Sequence, residues 1–212
     1  MHPAEPSGNE LRIVIAAAPA SLQSGAARKE AFRNKLRAAL GEPQYLLTGE
    51  VSVEAEWLLP ERIRYETLLS PDVDNTLKVT LDALCGPAGI LVNDCQVQHV
   101  SCHWIDWTRE DQQFTVVVKH RPDDWIRKHG LAFVEVINGL CWPINLDLPA
   151  TANGLMIDSI ARMSDANQKL LELTGDWHLA QLVMPIQRPF HRGRLGRFRV
   201  LSLAEARREI GL

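Results

Sequence analysis

Apolar and polar residues recur along this chain with two periods, and the period predicts the element. Residues 11–18 form a short apolar run that suits a buried strand, and residues 51–59 form a second. Residues 26–40 have a helical pattern, with Arg28, Lys29, Arg33, Lys35 and Arg37 giving a basic face. From Asp72 onward, Val73, Leu77, Leu81 and Leu84 stand at i, i+4, i+8 and i+11, an apolar stripe of helical period. Pro71 and Asp72 suit a first helical turn, so this helix begins with acids at its N-terminus. A break containing Gly86, Pro87 and Gly89 follows, then strand-like runs over 98–104 and 114–119.

The second half is patterned less regularly. Pro122-Asp123-Asp124 reads as the start of a helix over 125–129, and 131–137 as a strand. Residues 146–152 read as a loop, with Pro149 and the Asn153-Gly154 turn signal beside it. Leu155, Ile157, Ile160, Met163, Leu170 and Leu171 give 155–173 a helical pattern that Gly175 stops. Residues 178–186 read as a strand, and Ser202 with Glu205 forms a capping-box signature for a final helix over 203–210.

Composition narrows the class. With 212 residues, 46% of them hydrophobic, the chain can bury a core as one domain or as a core with an extension. No apolar run is long enough to span a membrane, and residues 1–12 hold acids and a single basic residue, so no signal peptide is expected. Four cysteines without a C-x-x-C pair point to reduced thiols and a cytoplasmic location. Cys95, His99, Cys102 and His103 cluster but lack a standard zinc spacing, and adjacent Cys102 and His103 would face opposite sides of a strand. Trp104, Trp107, Trp125, Trp142 and Trp177 read as core or interface anchors.

Charge is unevenly placed. The net value is −3, yet residues 186–212 hold seven arginines against Glu205 and Glu209, a local +5 that leaves −8 on residues 1–185. Arg188, Arg192, Arg194, Arg197 and Arg199 alternate with aromatics and glycines, which suits phosphate contact and stacking on DNA. Pairing with the acidic body is the plain alternative, and for the basic helix a solvated face is the expected reading.

The chemistry concentrates in Asp72, Asp74, Lys78 and Asp94. Hard carboxylate oxygens suit Mg²⁺, which keeps several waters and accepts phosphate oxygens. Lys78, at i+4 from Asp74, is placed to meet a phosphate oxygen or a leaving oxyanion. The bland alternative is that Asp72 and Asp74 complement the helix dipole, worth roughly 0.3–1 kcal/mol, while Lys78 makes a surface pair.

Asp72-x-Asp74-Asn75-x-x-Lys78-x-x-x-Asp82-Ala83-Leu84, then Gly86, Gly89 and Asp94-x-Gln96-Val97, resembles the RusA family of Holliday junction resolvases. The resemblance implies an α+β fold, with a RusA-like core of mixed β-sheet and helices over 1–120 and a C-terminal extension over 121–212. It implies catalytic roles for Asp72, Asp74, Lys78 and Asp94, with Mg²⁺ held by Asp72, Asp74 and Asp94. It further implies a homodimer that cuts branched DNA, chiefly four-way junctions, since a two-fold dimer suits a two-fold substrate. Asn93 stands where the family often has a second adjacent acid, and Glu66 to Pro71 where some members carry several arginines before the first Asp. A non-catalytic DNA- or protein-binding relative of the same fold is the second reading. Asp72-x-Asp74-x-Thr76-Leu77 also resembles the D-x-D-x-T-L pattern of haloacid-dehalogenase-type phosphatases, a third reading that Pro71 opposes by denying the preceding strand a donor.

Overall fold

The computed structural model describes residues 5–211 except 69 and 71, so the helix-starting role of Pro71 lies outside the described residues. The chain divides into two compact units, Met1–Trp125 and Ile126–Leu212. Both mix helices with sheet, and the fold is α+β.

The first unit is built on a four-stranded mixed sheet of order β1-β5-β3-β4. Its strands are β1 (Glu10–Ile15), β3 (Val51–Pro60), β4 (Val97–Trp107) and β5 (Gln113–His120), while β2 (Tyr45–Leu47) lies outside it. β5 runs antiparallel to β1 and β3, and β4 parallel to β3. β3 alternates buried and half-buried residues along its length, the period of a strand with one covered face. Val53, Ala55 and Trp57 point inward opposite Val118, Val116 and Phe114 of β5. β1 stops at Ile15, short of the expected 18, where its pairing with β5 ends at Phe114.

Two helices cover the inner face. α1 (Ala26–Leu40) buries Phe32, Leu36 and Leu40, and Phe32 meets Phe114 edge-on at 5.7 Å. α2 (Glu61–Glu66) is one short segment after β3, and α3 (Val73–Leu84) follows. The buried face of α3 is Thr76, Val79, Thr80, Ala83 and Leu84, with Leu77 and Leu81 flanking the core. That departs from the leucine stripe expected from the sequence. Thr76 and Thr80 can be buried because each hydroxyl donates to a carbonyl one turn back, Val73 O at 2.8 Å and Thr76 O at 2.9 Å.

The expected helix over 125–129 is corrected. Asp124 O accepts from Thr48 N at 2.9 Å, Trp125 packs edge-on against Tyr45, and the chain runs as β6 (Trp125–Arg127). These partners are some eighty residues back in the chain, beyond the reach of a local signal.

The second unit holds a four-stranded sheet of order β10-β7-β8-β9. β7 (Leu131–Ile137) and β8 (Leu140–Asn145) form a hairpin whose turn, Asn138-Gly139, has positive φ at both residues, 49° and 76°. β9 (Phe190–His191) and β10 (Val200–Ser202) are short, and β10 is parallel to β7. α4 (Ala150–Thr174), α5 (Trp177–Gln181) and α6 (Leu203–Glu209) complete it. Its core joins Ala132, Val134, Ile144, Ile157, Leu201, Ala206 and Ile210. α6 carries the expected capping box, Glu205 N donating to Ser202 Oγ and Ser202 N to Glu205 Oε2.

Two further expectations fail here. Asn153-Gly154 is not a turn but lies buried within α4, where Asn153 Nδ2 donates to Leu148 O at 3.1 Å. The strand expected over 178–186 is replaced by α5, whose N-terminus is capped by Asp176 accepting from Leu179 N, a local signal that the apolar run masked. Trp142 is fully buried, whereas Trp177 is about half exposed and anchors no core.

Candidate active site

α3 opens on Asp72 as its N-cap residue and carries Asp74 in its first turn. The Asp72 carboxylate accepts no bond from the first-turn N–H groups and meets Asn75 Nδ2 only at 3.5 Å. Asp74 has no side-chain partner among the described residues, and both carboxylates are exposed. A helix N-terminus favours negative charge, which eases the repulsion between two open acids.

One turn further, Lys78 Nζ donates to Asp94 Oδ2 at 2.6 Å and lies 3.0 Å from Asp82 Oδ1. These carboxylates, Asp94 foremost and then Asp82, hold the ammonium well above the usual lysine range. Asp82 also reaches Arg33 of α1 at 3.5 Å. The sequence assigns Asp82 no role, although its i+4 spacing from Lys78 is the signal for one. Burial, helped by Asp94 and Asp82, pushes the Cys85 thiol up to about 12, so it stays protonated beside the acids.

Asp94 is placed by its neighbour Gln96, which the sequence marks only as part of a motif. Asp94–Gln96 forms a single 3-10 turn capped by Asn93, whose Oδ1 accepts from Cys95 N at 3.1 Å. Gln96 is buried. Its Oε1 accepts from Val92 N at 2.8 Å and Asn93 N at 3.2 Å, and its Nε2 donates to Leu47 O at 2.9 Å and Gly49 O at 2.8 Å. One amide therefore clamps the Asp94 turn to the end of β2. The loop between α3 and this turn closes on the helix end, Ile90 N and Leu91 N both donating to Leu84 O.

The donors of Asp72, Asp74 and Asp94 are all carboxylate oxygens, the kind Mg²⁺ takes. Among the described residues no three Asp, Glu, His or Cys side chains converge as a metal-binding group. Asp72 and Asp74 are open, while Asp94 faces Lys78. Cys102 turns inward to Thr76, Sγ to Oγ1 3.8 Å, and His103 turns outward to Glu56 at 3.7 Å.

The phosphatase reading is corrected by placement. Asp72 caps a helix, β3 ends at Pro60 with α2 intervening, and Thr76 is buried with its hydroxyl bonded to Val73 O. A nucleophile at a strand end with a free threonine hydroxyl is not what the chain builds.

The arginine-rich segment lies in the second unit. Arg192 pairs with Glu135, Arg199 donates to Glu209 at 2.7 Å, and Arg188 donates to Gln181 at 2.8 Å. Arg194 ends a 3-10 turn, and Arg197 is exposed. The interleaved aromatics Phe190 and Phe198 pack against Phe133, at 5.9 and 5.2 Å, and so serve the core. On α1, Arg33 and Arg37 both approach Glu30, and Arg37 Nε donates to Ala83 O at 3.4 Å. Among the described residues no helix is long and apolar enough to cross a membrane.

No curated protein matches the chain. Residues 20–119 match the family model described as endodeoxyribonuclease RusA, a span that takes in α1, β3, α3, the Asp94 turn and β4. Over that span, with its open acids at a helix start and a lysine shared with the Asp94 turn, the chain is similar to the RusA endodeoxyribonuclease family.

Proposed function

We propose that this protein is a Mg²⁺-dependent endonuclease that cuts branched DNA, four-way junctions above all, as a homodimer. The observation that carries the reading is the pair of open carboxylates, Asp72 and Asp74, one helical turn from a lysine that contacts Asp94. Asp72 and Asp74, joined by Asp94, would hold Mg²⁺, whose chemistry is charge neutralisation on the scissile phosphate and a bound water nucleophilic near neutral pH.

The remaining work falls to the chain itself. Lys78 keeps its proton under all working conditions, because two carboxylates stabilise the ammonium. It can therefore offer fixed positive charge to a phosphate oxygen or a departing oxyanion. Gln96 holds the Asp94 turn against the end of β2, so the third acid keeps its position when its partner changes. Asp82 remains as the partner of Lys78 when Asp94 is otherwise engaged. Arg188, Arg192, Arg194, Arg197 and Arg199 would contribute phosphate contacts, Arg192 and Arg199 after release from Glu135 and Glu209.

The test is cleavage of a labelled four-way junction with Mg²⁺, comparing the native protein, Asp74→Asn and a matched linear duplex. Paired nicks confined to the junction and lost in Asp74→Asn are expected. Junction binding without nicks would move the protein to the non-catalytic reading, in which the Lys78–Asp94 pair is purely structural.

A further inference from the structure

We infer that Tyr65, backed by Arg64 and Trp104, is a stacking platform for an unpaired base of the DNA substrate, beside the acidic site. The inference rests on the nuclease reading above and adds a binding residue to it.

The Arg64 guanidinium lies over two rings at once, 4.9 Å from the centre of Tyr65 and 4.7 Å from that of Trp104. It is fastened by Asp106, whose Oδ1 accepts from Arg64 Nη1 at 3.1 Å. Trp104 is fastened in turn, meeting the core residue Trp57 edge-on at 6.0 Å. The base of the stack is therefore rigid, while Tyr65 at its outer end is 65% exposed. A large aromatic ring held by a cation but left open to solvent is what a nucleobase needs, because every base has a π-face and stacks without sequence preference.

Position links this stack to the acids. Trp104 and Cys102 are two residues apart on β4, so they share its inner face about 7 Å apart. Cys102 receives the first turn of α3 through Thr76, and Trp104 receives Arg64 of α2. The helix start bearing Asp72 and Asp74 and the Arg64–Tyr65 stack thus lie next to each other over one strand. Arg62, also on α2, is exposed and paired with Glu66 at 3.1 Å, an exposed pair that a phosphate can displace at little cost. The branch point of a junction is where base stacking is interrupted and pairs open most readily, and a base opened onto Tyr65 would set the adjoining backbone toward the acids.

The test uses the full-length protein and a four-way junction carrying 2-aminopurine at the branch point, bound without divalent metal. Binding by the native protein should change the 2-aminopurine emission, and Tyr65→Ala should weaken binding roughly 10- to 100-fold. Tyr65→Phe should retain affinity, since the ring and not the hydroxyl acts. Thermal unfolding guards against misfolding, which is not expected at so exposed a site. Unchanged affinity and emission in a folded Tyr65→Ala would overturn the stacking role. If that variant still nicks junctions with Mg²⁺, the nuclease reading stands alone. If the native protein neither binds nor nicks the junction, both fall.

Discussion

Gln96 uses one buried amide to make four hydrogen bonds, two to the loop that carries Asp94 and two to the end of β2. Truncation strands several backbone groups away from water at once. Gln96→Ala should therefore lower stability by roughly 2–4 kcal/mol, measured by urea denaturation, and should impair cleavage through displacement of Asp94. Lys78 supplies the pH signature of the site. Its pKa is raised above the unfolded value of 10.5, so its ion pairs contribute fully below that value and are lost only as pH rises through the higher native one. NMR of the lysine side chains should show no titration of Lys78 between about pH 6 and about pH 10. Asp94→Asn removes the larger cause and should bring the transition down toward the ordinary lysine range.

At the scale of elements, α3 and the loop after it decide where the acids stand. Gly89 passes so close to the helix end that a Cβ would lie 2.0 Å from the Leu84 carbonyl oxygen, the same oxygen that accepts from Ile90 and Leu91. The obstacle is backbone and cannot swing aside. Gly89→Ala should cost about 1–3 kcal/mol by thermal unfolding and shift the amide resonances of Asp94, Cys95 and Gln96. Gly86→Ala meets no such obstacle, only the strain of φ 89°, and so separates crowding from conformation. α3 itself also shows how a helix is buried against expectation: two threonines bond back to their own helix and pass as apolar surface.

For the molecule as a whole, the two units have separate hydrophobic clusters, one around Trp57, Phe114 and Leu84 and one around Val134, Ile144 and Ile157. Phe133→Ala removes a fully buried ring from the second unit and should cost about 3–5 kcal/mol. Hydrogen exchange should show protection lost first within 126–212, while β3 and β5 stay protected. Loss of protection in both units together would mean that they unfold as one. Elements set by near neighbours were readable from residues alone: α1 matches its expected bounds, β3 follows its period, and the Ser202–Glu205 box starts α6. The RusA motif was likewise readable, because its residues are close in the chain, and residues 20–119 match that family. What folding alone decided depends on groups far apart in sequence. Trp125 joins a strand because Tyr45 and Thr48 are there to meet it, and Arg192 finds the Glu135 carboxylate on another element. The partners of Gln96 and Lys78 belong to the same class. Periodicity records which side of an element is apolar, whereas the identity of a hydrogen-bond or ion-pair partner exists only once packing has brought distant segments within about 3 Å.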